Sequence, residues 1–198
     1  MFSLLTLYTS LTAKTGHRIL WEHGVRHRDT NPSNLMFYWS DKRMIGVLSD
    51  YDLSSMKSVP SGRERTGTVP FMALELLTEE AIQGDIEHVY QHDAESFIWV
   101  LTWISLRCDG GKLLDEGPGR QFDEWLTVDA KGCREKKSDF LFRVQRHVRI
   151  DPPSSHQYNW PIALSCLRAF FSSQGEDIEG QDVFRDWLDT KVPSSRRA

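Results

Sequence analysis

The 198-residue chain has only three cysteines, and Cys108, Cys133 and Cys166 are too far apart to form a CxxC pair. This spacing excludes a zinc ribbon and a disulfide framework, so reduced thiols and an intracellular location, cytoplasmic or nuclear, are expected. Long apolar runs are also missing. The longest, Phe97 to Leu106, is about half of what a membrane-spanning helix needs. The opening stretch MFSLLTLY has no positive flank and is broken by Ser and Thr, which argues against a secretory leader. A basic excess is absent, since 24 Lys+Arg against 28 Asp+Glu leave a net charge of −4. Neither a nucleic acid nor a membrane surface is therefore an expected partner. Glycines cluster at Asp109-Gly110-Gly111 and Glu116-Gly117-Pro118-Gly119, but neither cluster has the spacing of a phosphate-binding loop. What is present, 39% hydrophobic and 11% aromatic residues, suffices for the core of one domain.

Periodicity predicts an amphipathic helix over about Ser3 to His23, ended by Gly24. Two short apolar runs, Leu35–Trp39 and Met44–Leu48, are joined by Ser40-Asp41-Lys42-Arg43 and read as a hairpin. Ser54 to Thr66 turns to Ser, Gly, Pro, Lys and Arg, which predicts a mobile surface loop. Its hydroxyls Ser54, Ser55, Ser58, Ser61 and Thr66 are candidate phosphorylation sites that serve equally well to solvate a loop. Further helices are predicted over Phe71–Thr78, Asp93–Arg107, Phe122–Leu126, Ala130–Val144, Trp160–Phe171 and Asp182–Thr190. The Asp93 helix is apolar almost all round, the mark of a buried element.

The chemistry concentrates in His27-Arg28-Asp29-Thr30-Asn31-Pro32-Ser33-Asn34. A carboxylate on a short loop can accept the proton of an incoming hydroxyl, and a carboxamide a few positions further on can face a Mg²⁺ bound to ATP phosphates. Asp50, in Leu48-Ser49-Asp50-Tyr51-Asp52, is a second natural oxygen ligand for Mg²⁺.

This octet resembles the HRDxxxxN catalytic loop of protein kinases, and Asp50-Tyr51-Asp52 stands where that family has Asp-Phe-Gly. Gly67 to Glu75, GTVPFMALE, resembles the end of a kinase activation segment, with Phe71 and Leu74 replacing the usual Tyr and Pro. His92-Asp93-Ala94-Glu95 resembles the start of the central F helix. The wording RTGTVPFMALELL followed by HDAESFIWVLTWI is most similar to the fungal-type protein kinase domain family. The likeness spans roughly residues 3 to 145 and thins towards the C-terminus.

The resemblance implies a mainly helical (α+β) kinase C-lobe over residues 1–192, with a short β-hairpin at the catalytic face and a disordered tail over 193–198. It implies ATP and Mg²⁺ as cofactors and transfer of the γ-phosphoryl group to a protein Ser or Thr. Asp29 would be the base, and Arg28 would pair with a phosphorylated activation loop, joined by Arg63 and Arg65. Thr68 would hydrogen-bond Asp29, while Asn34 and Asp50 would be the Mg²⁺ ligands. His27 and Tyr51 would stack in the regulatory spine. Glu75 would be a buried ion-pair partner of Arg168 or Arg185. Asp93 would accept backbone N–H bonds from the catalytic loop, an N-cap being its plainer role.

Departures from the pattern carry weight too. Asn31 replaces a Lys that would sit beside the transferred phosphoryl group, which predicts weaker transition-state stabilisation. Asp52 replaces the hinge Gly. The stretch before His27 is too short for the Gly-rich loop, strand Lys and helix Glu of a nucleotide-binding lobe, so a chain truncated and inactive on its own is the expectation. The alternatives are a non-catalytic, pseudokinase-like module that binds a protein partner, and a small-molecule phosphotransferase of the aminoglycoside or choline kinase type. Without an upper lobe, Leu35, Phe37 and Tyr51 on the cleft floor should be exposed and promote self-association.

Overall fold

Because Phe97 to Leu106 carries no charged residue, this stretch can be surrounded, and the helix that contains it becomes the axis of the body. The computed structural model describes residues 13, 16–52, 54–56, 67–117 and 119–172. In it Tyr90–Arg107 is one 18-residue helix, α3. Ala94, Phe97, Trp99, Val100 and Leu101 on it are wholly buried. Two further helices follow, α4 (Ala130–Gln145) and α5 (Trp160–Ser172): α5 packs on α3 and on α4, and α4 meets α3 through side chains, the Phe140 ring lying 6.5 Å from that of Trp99. Asp129 caps α4, its carboxylate accepting from the Gly132 N–H at 2.8 Å. Between α3 and α4 lies an aromatic cluster: Trp99 meets Trp125 edge-on at 5.5 Å and Phe122 meets Phe140 at 5.0 Å. Such pairs add to the burial of large rings, whose non-polar area drives the collapse of this side of the core.

Residues 16–22 form the helix α1, which Gly24 ends as its spacing predicts; at φ 87° it takes a left-handed conformation, and its N–H reaches the Trp21 carbonyl at 2.9 Å. The described residues also form three two-stranded antiparallel sheets: β1 (Val25–Arg26) with β4 (Ser55–Met56), β2 (Leu35–Ser40) with β3 (Arg43–Leu48), and β5 (Cys108–Asp109) with β6 (Lys112–Leu113). The predicted hairpin is β2–β3, in register from Leu35 opposite Leu48 to Ser40 opposite Arg43. Its turn, Asp41-Lys42, has both φ values positive, 48° and 62°, the hand that matches strand twist. Short helices and small antiparallel sheets together make the molecule α+β.

Several expectations need correction. The helix predicted over Phe71–Thr78 is instead two 3₁₀ turns, Val69–Phe71 and Glu75–Leu77, followed by the short helix α2 (Glu79–Ile82). Pro70 can donate no hydrogen bond and Met72 is extended, so no continuous ladder forms. Phe122–Leu126 is likewise a 3₁₀ turn, Asp123–Leu126, entered through Phe122 at φ 70°. α3 begins at Tyr90 with Val89 as its N-cap, so Asp93 is no cap. Within the Ser54–Thr66 loop, Ser55 and Met56 pair as β4. Ser58, Ser61, Arg63, Arg65 and Thr66 lie outside the described residues, as do positions 1–12, the helix predicted at 182–190, Arg185 and the tail 193–198. Among the described residues no helix is long and apolar enough to cross a membrane.

Candidate active site

The octet spans the connection from β1 to β2. Arg28 takes a positive φ of 71° and turns the chain sharply before Asp29. Asn31 then caps the 3₁₀ turn Pro32–Asn34, its side-chain oxygen accepting from the Ser33 N–H at 2.8 Å. This fold-back brings the carboxamides of Asn31 and Asn34 to the Asp29 carboxylate. Oδ2 of Asp29 accepts from Asn31 Nδ2 at 3.0 Å and from Asn34 Nδ2 at 3.2 Å, and Asn34 Nδ2 also donates to the Asp29 carbonyl at 2.9 Å.

The other carboxylate oxygen is held from far along the chain. Thr68 donates to Asp29 Oδ1 twice, from its N–H at 2.8 Å and its hydroxyl at 2.9 Å. Asn31 Nδ2 also reaches the Thr68 hydroxyl at 3.2 Å, so these side chains form one network around the carboxylate. Several neutral donors on one carboxylate fix its orientation without adding positive charge.

His27 is fully buried beneath the loop. Its Nε2 donates to the Ser49 carbonyl at 2.8 Å, which leaves Nδ1 to accept the Asp29 N–H at 3.3 Å. Burial pushes its pKa down, with the Ser49 contact only partly opposing this, and the imidazole is neutral at pH 7. The ring meets Tyr51 edge-on at 4.7 Å. Burial pushes the Tyr51 phenol up.

Asp50 is exposed and, at φ 62°, left-handed, a conformation Asp tolerates better than most residues. Its neighbour Ser49 donates to the Asn34 carbonyl from both N–H (2.8 Å) and hydroxyl (3.0 Å), so Asn34 and Asp50 sit at the same end of the hairpin. Asp29, Asn34, Asp50 and Thr68 are thus gathered around one loop.

Two residues behave otherwise than expected. Asp93 is buried, but it meets two imidazoles rather than backbone N–H groups: His88 Nε2 at 2.7 Å and His17 Nε2 at 2.9 Å. Burial alone would raise its pKa, but the two histidines hold it well below the usual carboxylate range. Its grip on the loop is indirect, since the His17 ring lies 6.5 Å from that of His27. Glu75 is not buried, and among the described residues it pairs with no arginine. Its side chain is 60% exposed and accepts from His92 Nε2 at 2.8 Å, while Arg168 on α5 keeps a buried Nε with no hydrogen-bond partner among the described residues.

A second buried acid, Glu95, lies two residues beyond Asp93 on α3. Its Oε1 accepts from the Leu74 N–H at 2.9 Å and from Trp99 Nε1 at 2.8 Å. Lys137 on α4, also fully buried, donates to the Met72 carbonyl at 2.6 Å. Sequence reasoning missed Glu95, Lys137, His17 and His88. The spacing of Glu95 to Trp99, one helical turn, was the one available signal; nothing local marks Lys137, whose partner is remote in the chain.

A tight loop with a multiply held carboxylate, a hairpin behind it, a distant threonine clasp and a buried central helix follow one another in the order of a kinase-like protein. A family model described as fungal protein kinase matches residues 5–105, just over half of the chain, and the chain belongs to that family. No curated protein sequence matches it.

Proposed function

We propose that these residues form the C-lobe half of a protein kinase that transfers the γ-phosphoryl group of ATP to a protein Ser or Thr. The observation that carries this reading is the double donation of Thr68 to Asp29, with Asn31 and Asn34 on the other oxygen. A carboxylate so oriented can position and deprotonate an incoming hydroxyl. Arg28, half-buried beside it, would receive a phosphorylated segment. Asn34 binds Asp29 through its nitrogen, which leaves its amide oxygen, with the exposed Asp50 carboxylate, as the pair of hard donors that Mg²⁺ accepts. When bound, Mg²⁺ would neutralise phosphate oxygens. Asn31 adds no charge there, so phosphate neutralisation must come from the metal and from groups that these residues do not include. Calorimetric titration with Mg²⁺–ATP tests the reading: weak binding is expected, and Asn34→Ala or Asp50→Ala should weaken it about tenfold, the loss of one charged contact. Equal binding by all three proteins would overturn it.

A second reading, a protein-binding module without turnover, is favoured by one feature. Met36, Phe37, Tyr38 and Trp39, consecutive on β2, are all exposed, Trp39 at 63%. Leu35 and Tyr51, by contrast, are partly buried. Consecutive exposed large apolar side chains mark a surface that another body covers, which on this reading is a protein partner. Uncovered, this face is expected to self-associate. Trp39→Ser should shift sedimentation towards monomer while changing stability by no more than about 0.5 kcal/mol; a parent protein that is monomeric at high concentration would remove the basis for an apolar docking face.

A further inference from the structure

Between Thr68 and α2 the chain runs through Met72-Ala73-Leu74, and two buried charges of opposite sign grip this tripeptide by its backbone. From α4, the Lys137 ammonium takes the Met72 carbonyl at 2.6 Å. From α3, the Glu95 carboxylate takes the Leu74 N–H at 2.9 Å. Each charge meets the end of the peptide dipole that it favours. The two groups form no salt bridge with each other, although each bears on the other's titration through its charge.

Isolating two ionised groups in a core is costly, and apolar residues of similar size often serve stability as well or better. Lys137 has other support, with Nζ 4.6 Å from the Trp99 ring centroid and 5.7 Å from that of Trp125. Burial still lowers its pKa, to about 8. One turn earlier on α4, the Cys133 thiol lies 3.8 Å from the Val69 carbonyl. So α4 holds the segment at two carbonyls and α3 at one N–H, while the residue just before the segment is Thr68. Small movements of this stretch therefore act directly on the Thr68 bonds to Asp29.

We propose that Lys137 and Glu95 form a charged clamp that fixes the 69–74 segment, and that through Thr68 they act as positioning residues for Asp29. The role for catalysis rests on the kinase reading above, but the mechanical coupling does not.

The test follows the Thr68 amide by NMR, without nucleotide, so its outcome is separate from that of the Mg²⁺–ATP titration. Lys137→Met keeps the apolar stem and removes the ammonium; Glu95→Gln keeps an acceptor and removes the charge. Hydrogen exchange at Thr68 and Leu74 is expected to quicken about tenfold or more in each variant, the scale of one lost charge-assisted bond. The Thr68 amide proton resonance should move away from its carboxylate-bonded position, while exchange at Ala163 and Leu167 in α5 stays close to the parent. Unchanged Thr68 exchange in folded variants would overturn the proposal. So would equal acceleration at Thr68 and in α5, or failure of both variants to fold, because the clamp would then be general support for the core.

Discussion

Asp93→Ala is expected to cost the fold about 3–5 kcal/mol, the penalty for breaking a buried charged cluster and stranding its partners. The residue is 1% exposed and its carboxylate lies within 2.9 Å of two imidazoles, so its removal takes the charged partner from both. Urea unfolding checks this, and a loss under about 1 kcal/mol would show that the cluster is dispensable. The pH dependence adds a signature. Folding depresses the Asp93 pKa, so its contribution is complete above the unfolded carboxylate value near 3.9 and is lost as pH falls further. His27, His92 and His156 have their pKa values lowered by burial. The unfolded chain therefore binds protons at these positions first, and stability should fall as pH drops below about 6.5, then level off below the folded values. The urea midpoint should drop as pH falls through the histidine window and drop again below about pH 4, and, because burial lowers the Lys137 pKa to about 8, it should rise above that pH. Only the second drop should shrink in Asp93→Ala.

Asp29→Asn should reduce γ-phosphoryl transfer by about 10²–10⁴-fold, the usual worth of a positioned general base. Asn is close to Asp in shape, so it keeps the packing and an acceptor for Thr68 while losing the basic oxygen. The measurement, which rests on the proposed function, is transfer from labelled ATP with a kinase nucleotide-binding lobe supplied to the chain. Thr68→Val, which removes the hydroxyl bond but leaves the N–H bond to Asp29 Oδ1, should have the smaller effect, about tenfold. If Asp29→Asn kept full turnover, the carboxylate would not be the base, and the loop geometry would have another purpose.

What can be read from sequence divides by distance along the chain. The octet, the hairpin and α3 are local patterns: Asn31 caps its own turn, Asp41-Lys42 sits between two apolar runs, and a nearly all-apolar stretch becomes the central helix. The Thr68 clasp follows from family likeness, not from any local rule. The corrections are mostly tertiary. Asp93 reads as free to serve the loop backbone because nothing in the sequence shows that His17, from a different helix, shares its pocket. Glu75 reads as buried by analogy, yet the acid that enters the core is Glu95, which sits on α3 where that helix faces Leu74. The helix predicted at Phe71–Thr78 does not form because Pro70 and the backbone demands of the clamped segment outweigh the helical propensity of its leucines.

The hairpin also bears on the order in which the site can assemble. Asp29, Asn34 and Asp50 are near neighbours in sequence, joined by a tight turn and short-range bonds, so their half of the site has low contact order. Such structure closes on the microsecond scale of an isolated hairpin, whereas the Thr68 contact must wait for α3 and α4 to dock. The chain thus brings Asn34 and Asp50 together early and fixes the aim of Asp29 last, and the same late step is the first to be given up when the helical body loosens.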